Sequence, residues 1–188
     1  MGTFRPRELL EQAQRAEQNG ELRQASNHYA ALGSYLITKS RWKDAITALE
    51  KAVALSPAAP RLYVQLAVAQ KGQGDKDLAR SSAIFFARRA TQNRKFGTYI
   101  DYIARELADH PELREAIYEE YLNFDRTQVG TFLELANALC AQERWVRALD
   151  VLLDALQLKE QIPEILKEIE RCLVGLGKND QQIFVRRF

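Results

Sequence analysis

The strongest constraint on the fold is a pattern of small and apolar residues that ends at Pro57. Its apolar members recur at spacings of three and four residues: Tyr29, Leu32, Leu36, Ala45, Leu49 and Ala52. Such spacings place side chains on one face of an α-helix. Gly33 and Ala45 are small, so two antiparallel helices can approach closely there, and Pro57 stops the second helix. The pattern predicts a helical hairpin, with helices over 21–39 and 42–55 and with Ser40 as a plausible N-cap of the second.

The same pattern returns at a regular interval along the chain. The second copy begins with Tyr63, Leu66 and Ala67 and has Gly74 at its turn. A later copy is closer to the first, and its matching residues are Phe132, Leu135, Ala136, Leu139, Ala148, Leu152 and Ala155. A last shift gives Leu166, Ile169 and Leu173. Repeats in phase predict hairpins that stack, because one hairpin cannot cover its own apolar face.

The spacing resembles that of the tetratricopeptide repeat (TPR), a helix–turn–helix unit of about 34 residues that combines an aromatic residue, Leu-Gly, a later alanine and a closing proline. The resemblance implies an all-α, right-handed TPR solenoid of about ten antiparallel helices. Residues 1–25 are expected to form an N-terminal helix that packs on the array, and 26–188 to form the array itself. The expected units are about 26–59, 60–93, 94–128, 129–162 and 163–188, of which the third is degenerate and the last truncated.

Composition limits the classes of function. Lys and Arg number 27 against 25 Asp and Glu, so the overall charge gives no case for nucleic acid or membranes. No apolar run is long enough to cross a bilayer, and the N-terminus lacks the apolar core of a signal peptide. The two cysteines, Cys140 and Cys172, are interpreted as small buried thiols in a reducing cytoplasm, in preference to a disulfide between them. The expected location is cytoplasmic.

No catalytic, cofactor or metal site is predicted. The two histidines, His28 and His110, lie in different units, and neither has a second histidine or a cysteine at metal-ligand spacing. Nucleophile-elbow, phosphate-loop and dinucleotide motifs are also absent from the sequence. A non-catalytic protein is therefore expected.

The TPR resemblance implies a partner-binding groove on the first helix of each repeat. The positions carried over, here called the groove residues, are Asn27, Ala30, Ser34, Ile37, Arg61, Val64, Val68, Lys71, Leu133 and Asn137. Ala30, Ser34, Val64 and Val68 occupy positions where chaperone-binding TPR adaptors carry charged clamp residues, so that subfamily is disfavoured. An apolar groove suits a helix or an extended peptide. The resemblance implies an adaptor or scaffold for another protein, such as a bacterial adaptor of a Ras-like GTPase or of a secretion system.

Two alternatives remain open. The basic segment, defined as Arg80, Arg88, Arg89, Arg94 and Lys95, contains Phe85 and Phe86 and would suit an anionic partner or nucleic acid. Its cations would equally stabilise the end of a helix. The chain could also form a homo-oligomer through its C-terminal end, where Ile183, Phe184, Val185 and Phe188 either seal the last unit or contact another chain.

The third unit replaces small residues by aromatic ones. Its tyrosines are Tyr99, Tyr102, Tyr118 and Tyr121. They are interpreted either as an exposed binding surface or as bulk that fills the core.

Overall fold

The computed structural model of the chain describes residues 6–92 and 96–177. These residues form ten α-helices, one short 3-10 helix and no strand. The all-α class predicted from the sequence is confirmed. The chain divides into two compact units, Met1–Arg94 and Lys95–Phe188. The division into five repeats stays a prediction, and the C-terminal apolar residues lie outside the described part.

The first unit contains five helices: α1 (Pro6–Gln18), α2 (Leu22–Thr38), α3 (Trp42–Leu55), α4 (Pro60–Gln73) and α5 (Lys76–Gln92). Successive helices pack against each other. The hairpin of α2 and α3 matches its predicted bounds closely. Gly33 explains how close the two helices come, because a Cβ atom there would lie 2.5 Å from Cγ of Leu49.

The second unit begins with the 3-10 helix, Phe96–Tyr99, which is followed by five α-helices: α6 (Ile100–Glu106), α7 (Pro111–Leu122), α8 (Val129–Cys140), α9 (Trp145–Leu156) and α10 (Ile162–Gly175). The hairpin of α8 and α9 resembles the hairpin of α2 and α3. Equivalent residues differ by a constant number of positions, here called the hairpin offset, so that Phe132 corresponds to Tyr29 and Leu152 to Leu49. All four of these side chains are buried. These hairpins have the helix–turn–helix arrangement that the sequence pattern predicts.

The turns inside both hairpins share one geometry. Ser40 follows α2 with a φ of 54°, and Glu143 follows α8 with a φ of 58°. In each turn the next amide donates to a carbonyl five residues earlier, Arg41 to Leu36 and Arg144 to Leu139. This is the Schellman pattern that ends helices. The prediction of Ser40 as an N-cap is wrong, since Ser40 closes α2 and the cap position of α3 is Arg41.

One tryptophan in each hairpin packs against the helix that follows that hairpin. A Cβ atom on Gly72 of α4 would lie 2.5 Å from the ring of Trp42, and one on Gly175 of α10 would lie 2.6 Å from the ring of Trp145. Each glycine follows its tryptophan at the same distance in sequence. The tryptophan that begins α3 therefore packs directly on the backbone of α4. In the same way, the tryptophan that begins α9 packs on the backbone of α10.

Aromatic side chains pack together in the region predicted as the degenerate third repeat. Phe96 is buried and stacks on Tyr121 with ring centroids 3.7 Å apart, and it meets the edge of Tyr118. Tyr118 and Tyr121 are buried, whereas Tyr99 and Tyr102 are partly exposed. Of the two interpretations of the tyrosines, core packing therefore holds for Tyr118 and Tyr121.

Candidate partner-binding surface

In the first unit, the groove residues lie on α2 and α4. Asn27 and Arg61 are exposed. Most of the others are partly exposed, and these are Ala30, Ser34, Ile37, Val68 and Lys71. The two helices contact each other. We call the exposed and partly exposed groove residues that they carry the α2/α4 face.

Val64 does not belong to the α2/α4 face. Its side chain is only 2% exposed, so it is packed inside the protein and is closed to a ligand in this conformation. The TPR resemblance implies a groove position here, and Val64 lies four residues before Val68, one helical turn along α4. The helix is turned so that only the second valine of this pair remains partly exposed.

A side-chain hydrogen bond joins the two helices within the α2/α4 face. Nε2 of Gln65 donates to Oγ of Ser34 at 2.8 Å. The bond fixes Ser34 between α2 and α4, so this serine contributes to the construction of the surface. Ile37 has a similar double role, because it is partly exposed and also packs on the core around Leu49.

In the second unit, the groove residues are Leu133 and Asn137 on α8, and both are partly exposed. Nη1 of Arg171 on α10 donates to Oδ1 of Asn137 at 2.9 Å and also pairs with Glu168 at 3.2 Å. Asn137 corresponds to Ser34 at the hairpin offset. A side-chain hydrogen bond at this position therefore joins α2 to α4 in the first unit and α8 to α10 in the second. The structure therefore places these residues in two analogous sets, one in each unit.

A partly buried carboxyl group lies beside Asn137 in sequence. Burial raises the pKa of Glu134 above its ordinary range, although the nearby Arg114 guanidinium lowers it in part. Burial is also the main cause that raises the pKa of Tyr118, and the charge of Glu134 adds to it. Tyr118 is therefore neutral at physiological pH, and Glu134 holds a proton to higher pH than an exposed glutamate.

The basic segment is only partly described. Arg80 and Arg88 of α5 are exposed, and Arg89 is partly exposed and donates to Oε1 of Gln92 at 3.2 Å. Arg94 and Lys95 lie outside the described residues. The two phenylalanines of this segment differ, because Phe86 is buried whereas Phe85 is 49% exposed and stacks on Tyr63 of α4. Only one of them therefore accompanies the arginines at the surface.

Sequence reasoning missed a set of ion pairs that connects α7 and its following loop to α9. Arg144 donates to both carboxylate oxygens of the buried Glu115, at 2.6 and 2.7 Å. Arg147 pairs with Glu119, and Arg126 pairs with Asp154 at 2.7 Å. In all three pairs the two opposite charges are separated by nearly the same number of residues, somewhat fewer than one repeat. A search for opposite charges at this separation would have revealed the pairs.

A cavity of about 370 Å³ opens between α1, α2 and α3. Its apolar wall includes Leu10, Leu32 and Leu36, and Arg7 and Lys51 also line it. None of the groove residues lines this cavity. It is therefore a feature separate from the α2/α4 face.

The described residues contain no group of three or more His, Cys, Asp or Glu side chains placed to hold a metal ion. None of the helices that they form combines the length and the apolar character needed to cross a bilayer.

Comparison with known proteins yields matches among solved structures alone. No protein-family model matches the chain, and no curated protein does. One structure, "MamA AMB-1 P212121", is 16% identical over 86% of this chain and 88% of that chain, with a TM-score of 0.47. A second MamA structure is 13% identical over 97% and 88%, with a TM-score of 0.37. The "Assembly Chaperone of RpL4 (Acl4)" is 15% identical over 97% and 88%, with a TM-score of 0.33. Identities this low carry no inference about function.

Proposed function

We propose that the protein is a non-catalytic adaptor that binds another protein through the exposed sides of its first helices. The observation that carries the proposal is the α2/α4 face, where Ile37 and Val68 leave apolar surface accessible while Asn27 and Arg61 supply polar groups beside it. Binding surfaces for peptides and helices combine these two kinds of group, since burial of apolar area gives affinity and polar groups fix orientation.

The hydrogen bond from Gln65 to Ser34 supports this proposal. The bond joins α2 to α4 within the face, so the face is already ordered before a partner binds. A surface that is already ordered loses less conformational entropy on binding. A helix or an extended peptide is the proposed ligand, with a folded regulatory protein such as a Ras-like GTPase as the proposed larger partner.

The analogous set around Leu133 and Asn137 extends the proposal to the second unit. Arg171 and Glu168 place charges of both signs next to Asn137, whereas the corresponding part of the α2/α4 face carries Val68. The two sets therefore favour different side chains of a partner: an apolar group at Val68 and a polar or charged group at Asn137.

The test is affinity capture from the native organism with Val68→Glu as bait. A carboxylate at this site would stay hydrated in the free protein but would be buried without a partner in the complex, which weakens binding by about 2–4 kcal/mol. Val146→Glu is the matched control, because Val146 is an exposed helical valine outside the groove residues. We expect proteins captured by the wild type and by Val146→Glu to be lost from Val68→Glu, with unchanged helicity in all three.

The basic segment is tested in the same experiment with the double variant Arg88→Glu/Arg89→Glu. Loss of the captured proteins from this variant, with retention by Val68→Glu, would transfer the binding site to α5. Retention by both variants would exclude both surfaces. The molar mass of the purified protein in solution tests the remaining alternative, in which the partner is a second copy of the chain.

A further inference from the structure

The two cysteines meet inside the second unit. Cys140 is the last residue of α8, and Cys172 lies in the last turn of α10. Both are buried free thiols, as the sequence predicted, and their sulfur atoms are 3.3 Å apart. The sequence favoured separate thiols over a disulfide and did not predict that the two thiols touch. Two thiols at this distance differ from isolated buried cysteines, because each has a reaction partner beside it.

The first unit shows that the fold does not require sulfur at these positions. At the hairpin offset Cys140 corresponds to Ile37 and Cys172 to Ala69. Ala69 belongs to the core cluster on which Ile37 packs, so the same contact between first helices is made there by hydrocarbon alone. The cysteine pair therefore adds chemical reactivity to a contact that aliphatic side chains serve equally well.

The environment distinguishes the two sulfur atoms. The pKa of Cys140 is lowered, first by its hydrogen bond with Cys172 and then by the nearby Arg171 guanidinium, although burial acts in the opposite direction. The pKa of Cys172 is raised, first by the same hydrogen bond and then by burial. Cys140 is therefore the thiol that carries thiolate character, the form in which a cysteine attacks.

We propose that Cys140 and Cys172 form a reversible oxidation site, at which a peroxide converts the two thiols into a disulfide between α8 and α10. This site is independent of the partner-binding surface. Its position matters because α10 is the last helix that the structure describes, and the bond would fasten it to α8 in addition to its packing on α9. Cys140 is 3% exposed as a residue, so an oxidant of this site must be as small as a peroxide.

The reaction balances in two steps. The Cys140 thiolate attacks one oxygen of the peroxide, the O–O bond breaks, and Cys140 becomes a sulfenic acid. The hydroxide that leaves takes up the proton that Cys140 released, which gives the first water. Sγ of Cys172 then attacks Sγ of Cys140, the S–O bond breaks and the hydroxyl departs with the Cys172 proton as water. Each sulfur loses one electron, and one peroxide is reduced to two molecules of water. A thiol reductant reverses the reaction by exchange.

The test uses the full chain, folded, treated with a small excess of hydrogen peroxide and then alkylated after unfolding. We expect the loss of two hydrogen atoms from the intact mass, one peptide pair linked through Cys140 and Cys172, and recovery of both thiols with dithiothreitol. A crosslink that closes a loop of this length should raise the melting temperature of the second unit by about 10 °C. Both thiols remaining alkylatable, or bonds forming only between molecules, would overturn the proposal.

Single variants test the roles of the two sulfurs. Cys172→Ala introduces the residue that the first unit has at Ala69, so it should fold. With its partner removed, Cys140 should accumulate as a sulfenic acid that dimedone traps, with no rise in melting temperature. Cys140→Ser should show neither the adduct nor the rise. A dimedone adduct on Cys172 in Cys140→Ser, with none on Cys140 in Cys172→Ala, would refute Cys140 as the attacking thiol.

Discussion

Glycine at position 175 is required by the tryptophan that covers it, and this requirement can be measured. A methyl group there would lie 2.6 Å from two atoms of the Trp145 ring and 2.8 Å from a third. Carbon atoms in contact are ordinarily about 3.5–4.0 Å apart, so the indole must move or α10 must shift away from α9. We therefore expect Gly175→Ala to destabilise the second unit, although alanine is the better helix former.

The magnitude follows from two opposing terms. Overpacking a core by one methyl group costs about 1–3 kcal/mol. Replacing glycine by alanine in a helix gains up to about 1 kcal/mol, and less in the last turn, where Gly175 lies. The expected net loss is about 1–2 kcal/mol. Gly130 of α8 is the matched control, because a Cβ atom there meets nothing within 4 Å. Gly130 lies in the first turn of α8, so Gly130→Ala should be neutral or should stabilise the same unit by up to about 0.5 kcal/mol.

The assay is urea unfolding of the full chain, followed by far-ultraviolet circular dichroism. The decisive measurement repeats Gly175→Ala in a Trp145→Ala background, where the indole is absent. In that background the loss of unfolding free energy caused by Gly175→Ala should disappear, and the substitution should be neutral or stabilising. Equal stability of Gly175→Ala and wild type, or the same loss with and without Trp145, would refute the account of this contact.

Two further predictions concern charge. Glu115→Ala should cost about 1–3 kcal/mol because it removes the buried partner of Arg144, whereas Asp44→Ala, which breaks an exposed pair, should cost less than about 1 kcal/mol. Equal effects in urea unfolding would contradict this. Because the pKa of Glu134 is raised in the fold, its contribution to stability is complete below the unfolded-state pKa and is lost as pH rises through the folded pKa. As pH rises above about 4.5, the unfolding free energy of Glu134→Gln should therefore fall less, or rise more, than that of the wild type.

The hairpins were predictable because their determinants are local. Gly33 and the apolar stripe around Leu49 specify two helices and the place where they cross, and the structure confirms both. The turn was predicted less well. Ser40 adopts a left-handed conformation that favours glycine or asparagine, so its residue type pointed to a cap and not to the end of the preceding helix.

The candidate surface was harder to predict than the hairpins, because exposure depends on the rotation of each helix against its neighbours. Val64 and Val68 are one turn apart and chemically identical, yet one is buried and the other partly exposed. The contact between Cys140 and Cys172 was missed for a related reason. Each residue lies in an unremarkable helical pattern, and only the packing of α10 beside α8 brings the two sulfurs together.

The two pairs of tryptophan and glycine have a consequence for protein engineering. Each pair is divided between two hairpins, because the tryptophan starts the second helix of one repeat and the glycine lies near the end of the next repeat's first helix. A hairpin cut out at its loops would leave one half of a pair behind. Insertion of an extra repeat after α3 or α9 therefore requires a new first helix whose glycine follows the tryptophan at the distance that separates Trp42 from Gly72. It also requires a new second helix with its own tryptophan, which must pack on the original glycine now separated from Trp42 or Trp145.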